Sequence, residues 1–301
     1  MISVAMATYN GAKYIKEQIN SILSQTIQSF ELVISDDCSK DDTWRILQEY
    51  AASDSRIHIF RASENVGFKK NFEKAVSLCT GEYIALCDQD DIWHLDHLEV
   101  LLNTMMNSNC DLVCGRPVFV DENNIELPKK FDYFKMDNIP QNNNDIARHI
   151  LLSTSSYQGA SMLIKKEFFE KAFPIPDGAY YHDSWFAVLA CFMGGLVYVD
   201  TTILRYRRLG SSVTVKTMRV SAFRKIIGAT INKHSTFDRL FLINAIRQRL
   251  DTIEEEQERL LDTVEKILKR RDSFAGRMKN FPYLVRHFNA IYATDFLHMF
   301  S

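Results

Sequence analysis

The 301-residue chain contains no apolar run of the roughly 18 residues needed to cross a bilayer. It has no internal repeat and no low-complexity tract. Its six cysteines, at positions 38, 79, 87, 110, 114 and 191, form no C-x-x-C pair, and several sit in apolar runs such as Tyr83-Ile84-Ala85-Leu86-Cys87. That pattern points to buried, reduced thiols of a cytosolic protein, and away from a disulfide framework or a zinc site. A net charge of −2 speaks against a strongly basic nucleic-acid binder, so no nucleic-acid partner is expected.

Several catalytic signatures are also missing. There is no G-x-x-x-x-G-K-[ST] and no G-x-G-x-x-G after the first strand-like segment, which excludes the P-loop and dinucleotide-binding readings. There is no G-x-S-x-G elbow and no H-E-x-x-H pair. A phosphate-handling site without a glycine cradle can instead hold a diphosphate through a divalent cation. Hard cations take carboxylate oxygens, and Mg²⁺ typically uses one or two of them plus the substrate phosphates.

What is present is ordinary globular composition, 46% hydrophobic and 25% charged, enough for one large domain plus an appendage. The charge is uneven. Residues 216–301 carry sixteen Lys+Arg against ten Asp+Glu, a net of +6, which leaves −8 for the rest. An acidic body with a basic tail suggests a cation-binding site and a surface that meets something anionic. Strand-like segments at Ile2–Ala7, Phe30–Ser35, Ile57–Phe60 and Tyr83–Cys87 alternate with helical patterns at Ala12–Thr26, Thr43–Ala52 and Lys69–Leu78. This rhythm predicts an α/β fold with a mostly parallel open sheet flanked by helices. Residues 111–215 are less regular, with strands expected near Asp111–Val120 and Gly159–Ile164, a polar loop over Asp121–Asn144, a buried helix over Asp183–Met193, and a strand followed by a polar loop over Thr201–Thr214. The C-terminal part, 216–301, reads as a helical extension. Ile243, Ile246, Leu250, Ile253, Leu260, Val264 and Ile267 follow a helical spacing that suits packing on its own domain or a homodimer seam.

In open sheets ligands sit beyond the carboxyl ends of the strands. Thr8-Tyr9-Asn10-Gly11 follows the first strand, Asp36-Asp37 the second and Asp88-Gln89-Asp90-Asp91 the fourth. In an extended segment Asp88 and Asp90 share a side, so one can reach a ribose while the other ligates metal. Asp91 fits a second layer of contacts or a helix cap.

These blocks carry a resemblance. Val4-Ala5-Met6-Ala7-Thr8-Tyr9-Asn10-Gly11, Ser35-Asp36-Asp37-Cys38-Ser39-Lys40-Asp41-Asp42-Thr43, Asn65-Val66-Gly67 and Gly81 through Asp91, in this order, resemble family 2 glycosyltransferases of the GT-A fold over roughly residues 1–215. Asp88-Gln89-Asp90-Asp91-Ile92-Trp93 is similar to the rhamnosyltransferase-like branch of bacterial surface-polysaccharide synthesis. The resemblance implies a nucleotide-binding half at about 1–110 and an acceptor half at about 111–215. It places Thr8, Tyr9 and Asn10 along a base pocket, Asp37 on a pyrimidine N3–H, Asn65, Lys69 and Gln89 near the nucleotide, Asp88 on the ribose or an adjacent water, and Asp90 on Mn²⁺ or Mg²⁺. Lys69 fits a solvated helix face equally, and Asp37 an Asx-turn.

Tyr180-Tyr181-His182-Asp183-Ser184-Trp185 resembles the acidic motif that supplies the family's general base, so Asp183 is the expected base and also a helix-capping candidate. Relatives show Glu-Asp where this chain has His182-Asp183; His182 suits the rhamnosyl-type branch or a structural hydrogen bond. Gln158, Gly159, His182, Trp185, Arg207 and Arg208 are candidate donor or acceptor contacts, the two arginines fitting a surface loop as well. Leu209 stands where relatives often carry a His.

The resemblance implies inverting transfer from a nucleotide-sugar donor, dTDP-rhamnose or a UDP-hexose, to a hydroxyl of a glycan or lipid-linked glycan. Two alternatives are a sugar-1-phosphate nucleotidyltransferase and an inactive sugar-nucleotide-binding protein. Segment 216–249 has eight Lys+Arg and one acidic residue, Asp238, interleaved with Phe223, Ile226, Ile227 and Ile231. That suits peripheral contact with an anionic membrane, at the inner face of the cell membrane for a cytoplasmic protein, and equally suits packing on the catalytic domain. The chain opens on a strand-like segment, so no signal peptide is expected.

Overall fold

The computed structural model describes residues 1–128, 139–152, 157–176, 178–179, 181–209 and 231–271. The chain divides into two compact units. The first comprises 1–131, 157–175 and 194–207, and the second 132–156, 176–193 and 208–301. The division therefore does not fall at a single point near 215. Within the expected acceptor half, residues 132–156 and 176–193 group with the C-terminal helices.

The first unit is built on one eight-stranded sheet. Its strands are β1 (Ile2–Thr8), β2 (Phe30–Asp36), β3 (Ile57–Arg61), β4 (Tyr83–Cys87), β5 (Ile92–Trp93), β6 (Leu112–Val120), β7 (Met162–Lys165) and β8 (Leu196–Arg207), in the order β3-β2-β1-β4-β7-β6-β8-β5. β3, β2, β1 and β4 run parallel, β7 is antiparallel to β4 and β6, and β8 is parallel to β6. β1 and β2 have apolar centres and bury nearly every residue, polar ones included, as strands covered on both faces do. The helices α1 (Ile15–Leu23), α2 (Thr43–Ser53), α3 (Phe68–Leu78), α4 (His97–Ser108) and α6 (Lys166–Ala172) belong to this unit, and α1 buries Ile15, Gln18, Ile19 and Ile22 along one face.

The second unit holds α5 (Asn143–Leu152), α7 (His182–Cys191), α8 (Ile231–Arg249) and α9 (Glu255–Arg271). The apolar series of the C-terminal part is not one long helix. It breaks between Arg249 and Glu255, and Arg247 of α8 then pairs with Glu258, Asp262 and Glu265 of α9. Ile243, Ile246, Leu260 and Val264 are buried in this unit. Among the described residues no helix is long and apolar enough to cross a membrane.

One buried group makes the fold acid-sensitive. His97, fully buried in α4, stacks on Trp93 with ring centroids 3.8 Å apart, and its Nδ1 lies 3.1 Å from the Ile203 carbonyl, which assigns the proton to that nitrogen. Burial lowers its pKa to about 3. The unfolded chain takes up a proton near the ordinary value of about 6.5, while the folded chain does so only near 3. The stabilisation is thus fully present above about 6.5 and is lost as pH falls toward 3, by at most about 5 kcal/mol. Between pH 7 and pH 5, His97→Phe should remove roughly 2 kcal/mol of the wild-type stability loss. Urea unfolding at the two pH values measures this, and an unchanged difference would exclude His97 as the source.

Candidate active site

The loops after β1, β2 and β3 are tied into one surface. Thr8 is buried and its hydroxyl donates to Asp36 Oδ1 (3.1 Å), while the Asp37 amide donates to the Thr8 carbonyl (2.9 Å). Asp36 has no exposed surface. It accepts from the Ser39 amide (3.0 Å) and hydroxyl and pairs with Arg61 Nε at 3.4 Å. It is the structural member of the acidic pair. Asn10, at φ 51, donates its amide to Ser39 Oγ (2.9 Å) and accepts from the Lys40 amide (2.8 Å).

Asp37 Oδ1 accepts the Val66 amide (2.7 Å) and Oδ2 the Gly67 amide (2.9 Å), and Asn65 donates to the Asp37 carbonyl (3.4 Å). Gly67 has φ +88, a conformation that side-chain-bearing residues rarely take. The structure thus brings Asp37 and Asn65 together, with Lys69 half-buried just beyond, in the first turn of α3. Asn71, unremarked in the sequence, is buried and donates to the Ser35 and Thr8 carbonyls (2.9 and 3.3 Å). Tyr9, Val66 and Phe68 leave apolar surface exposed on these loops.

Gln89 is engaged with the protein's own backbone. Its Oε1 accepts the Tyr9 amide (2.9 Å) and its Nε2 donates to the Tyr9 carbonyl (3.1 Å), as a neighbouring strand would. The acidic turn and the Tyr9 loop are therefore joined. A Cβ at Gly11 would stand 2.3 Å from Gln89 Oε1. Since the amide can swing aside, Gly11→Ala should keep the fold and unpin Tyr9. We expect roughly tenfold weaker nucleotide binding in Gly11→Ala and in Gln89→Ala, with the double variant no worse than either. Fully additive losses in nucleotide titrations would show that the two residues act separately.

Asp88 and Asp90 are half-buried and Asp91 is buried. Burial pushes the Asp90 carboxyl up to about 6 against the opposing charge of Arg207. It pushes Asp91 well above the carboxylate range, with the charges of Asp90 and Asp88 adding to the rise. Asp91 Oδ1 accepts the Arg207 amide (2.9 Å), and its Oδ2 is buried without a hydrogen-bond partner. Crowded, desolvated carboxylates of this kind fit a divalent cation. No group of three or more His, Cys, Asp or Glu that could hold a metal occurs among the described residues. The turn thus suits one or two carboxylates whose cation is completed by diphosphate and water.

Arg207 and Trp185 do not occupy the roles expected for donor or acceptor contacts. The Arg207 guanidinium is buried on protein partners, Asp90 and Glu122 carbonyls and the Glu17 carboxylate. Trp185 has no exposed surface and lies under the Arg249 guanidinium at 5.3 Å. Gln158 (4% exposed) precedes the turn Gly159–Ser161, and both its amide atoms are buried without a hydrogen-bond partner, as is Ser161 Oγ. That turn leads into β7, whose Leu163 lies opposite Ala85 of β4, so it runs beside the carboxyl end of β4.

In the second unit Asp183 lies in the first turn of α7, and its Oδ1 accepts the Ser184 amide at 2.6 Å. Tyr181 rather than Asp183 occupies the N-cap position, and a carboxylate in the first turn is favoured by the helix dipole. His182 packs edge-on to Phe186 at 5.9 Å. Arg208 and Leu209 follow β8, half-buried, and Tyr180 lies outside the described residues. In the basic segment, Arg239 donates to the Leu152 carbonyl, Arg247 pairs with α9 and Arg249 lies on Trp185. Phe223, Ile226 and Ile227 lie outside the described residues.

The sequence profile of glycosyl transferase family 2 matches residues 3–173. TuaG of Bacillus subtilis, named as a teichuronic acid biosynthesis glycosyltransferase, is 40% identical over 110 residues, 36% of this chain and 44% of that protein. The dTDP-rhamnosyl transferase RfbG of Shigella flexneri is 36% identical over 143 residues, 43% of this chain and 49% of RfbG. The chain thus spans less than half the length of these curated relatives. Among solved structures, TarS 1–349 of S. aureus in complex with UDP-GlcNAc superposes with a TM-score of 0.64 at 18% identity, over 93% of this chain and 74% of that one. The mannosyltransferase PcManGT of Pyrobaculum calidifontis, in complex with GDP-Man and Mn²⁺, gives 0.63 at 16% identity, over 99% and 82%. These structures share the GT-A fold.

Proposed function

We propose, starting from the fact that the chain belongs to glycosyl transferase family 2, that it is an inverting, metal-dependent transferase. It takes a sugar from a nucleoside-diphosphate donor and places it on a hydroxyl of a bacterial surface polysaccharide or lipid-linked glycan. The observation that carries this reading is the acidic turn Asp88–Asp91, whose crowded, desolvated carboxylates are joined through Gln89 to the loop expected to hold the base.

Asp37, held in place by two backbone amides, presents its carboxylate toward a pyrimidine N3–H. Asp90 ligates Mn²⁺ or Mg²⁺, and Asp88 meets the ribose. When bound, the cation supplies Lewis-acid stabilisation of the departing diphosphate. Asp183 accepts the proton of the acceptor hydroxyl as its oxygen bonds to the anomeric carbon and the carbon–oxygen bond to the diphosphate breaks. Gln158 and Gly159 face the transferred sugar.

The dTDP-rhamnosyl activity in the name of RfbG supports a deoxyhexose donor, and the UDP-GlcNAc complex of TarS keeps UDP-hexoses in view. A membrane-surface acceptor would place the enzyme at the inner face of the cell membrane. A nucleotidyltransferase would instead make the donor from a sugar 1-phosphate and a nucleoside triphosphate, with pyrophosphate as the leaving group; an inactive binding protein would release nothing. The test is a donor panel, dTDP-rhamnose against UDP-hexoses, with and without Mn²⁺. Metal-dependent release of nucleoside diphosphate from one donor is the expected result, and no release from any donor would overturn the assignment.

A further inference from the structure

We propose that Arg207, braced by Glu17, is a positioning residue that sets the Asp90–Asp91 turn for cation binding. The inference rests on the assignment of Asp90 as the cation ligand. Arg207 ends β8, has 4% of its surface exposed, and grips the turn from two directions. Its backbone amide donates to Asp91 Oδ1 (2.9 Å) and its Nε donates to the Asp90 carbonyl (2.8 Å). The other arms of the guanidinium donate to the Glu122 carbonyl (3.0 Å) and to Glu17 Oε2 (2.6 Å), and its face lies over the Tyr14 ring at 4.6 Å. A cation so engaged is unavailable to a diphosphate. It acts instead on the backbone that carries the Asp90 side chain.

Glu17 gives the arrangement direction. It stands in the first turn of α1, the helix that also reaches this segment through Gln18 on Cys87 Sγ (2.8 Å) and Ser21 Oγ, which accepts the Trp93 amide (3.0 Å). The turn from Cys87 to Trp93 is therefore held on one side by α1 and on the other by the end of β8, with Arg207 joining the two. Mg²⁺ demands near-ideal octahedral geometry, so a carboxylate displaced by a fraction of an ångström binds it less well. Groups that orient metal ligands typically change affinity by 10–100-fold when removed. Lysine cannot replace Arg207, because a point charge does not span three separate acceptors in one plane.

Mn²⁺ binding in the presence of saturating UDP, followed by the EPR signal of free Mn²⁺, tests this without turnover. Arg207→Lys should raise the apparent Mn²⁺ dissociation constant about 10–100-fold, while UDP affinity without metal stays within about threefold. Glu17→Gln, at a half-exposed position that should tolerate the change, is expected to raise it about 3–10-fold with little change in Tm. If Arg207 only stabilised the fold, both variants would lower Tm and leave Mn²⁺ affinity unchanged, which overturns the inference. Should Arg207→Lys not fold, Glu17→Gln decides alone by the same criterion. Asp90→Asn separates the two levels. Wild-type Mn²⁺ affinity in that variant would refute the cation-ligand assignment itself, whereas loss of binding there with wild-type affinity in Glu17→Gln and Arg207→Lys would refute only the role of Arg207.

Discussion

Asp183→Asn should transfer sugar about 10²–10⁴-fold more slowly than the wild-type chain while binding donor with nearly the same affinity. The substitution keeps the size and shape of the side chain, and the amide oxygen can still accept the Ser184 amide hydrogen bond seen at 2.6 Å. What it removes is the capacity to take a proton. An acceptor hydroxyl is a weak nucleophile until its proton has somewhere to go, so the loss falls on the chemical step. The loops around Asp37 and Gln89 have their own hydrogen bonds and belong to the other compact unit, so donor binding should be spared. Transfer measured at saturating donor checks this, and a near wild-type rate would show that Asp183 is not the base.

Asp90→Asn should abolish the response to Mn²⁺ and reduce nucleoside diphosphate release by about 10³-fold, since the cation is expected to supply several kcal/mol at the leaving group. The same variant should be no less stable than wild type. Burial holds the Asp90 carboxyl up near 6, so at pH 7 the folded chain carries a charge that its surroundings disfavour, and a neutral amide relieves that cost. A rise or no change in Tm together with lost activity is the signature of a residue kept for function at the expense of stability. Retained Mn²⁺-dependent release would refute its role as ligand, and a large fall in Tm would make the turn structural.

The parallel part of the sheet was legible because its strands are short segments centred on apolar residues and separated by helices with one apolar face, and polar residues follow β1, β2 and β4 on the same edge. β5, with two residues, and α6, with seven, are too short for periodicity to register, and α5 begins at Asn143 in a stretch whose polar start reads as loop. The single apolar series after residue 240 hid a break, because hydrophobic spacing does not record that Arg247 folds back onto three carboxylates of the next helix.

At the site, residue type identified the acidic positions but not the division of labour. Asp36 and Asp37 are adjacent and identical in chemistry. Only the structure shows the first committed to Thr8, Ser39 and Arg61 and the second holding Val66 and Gly67. Gln89 and Arg207 could both be assigned to ligand from sequence, because either side chain hydrogen-bonds phosphate or ribose readily. Their partners, the Tyr9 backbone and Glu17, are 80 and 190 residues away in sequence, and no local pattern announces them. The unpartnered amide of Gln158 is likewise a property of packing, invisible until the turn beside β4 is in place.

The central claim is that Asp90 carries a cation shared with the donor diphosphate. Crystals grown with Mn²⁺ and UDP, measured at the manganese absorption edge, test it most directly. The account predicts one anomalous peak within coordination distance of an Asp90 carboxylate oxygen and of the diphosphate. A bound nucleotide with no peak at Asp90, or with manganese held by other residues, would contradict it.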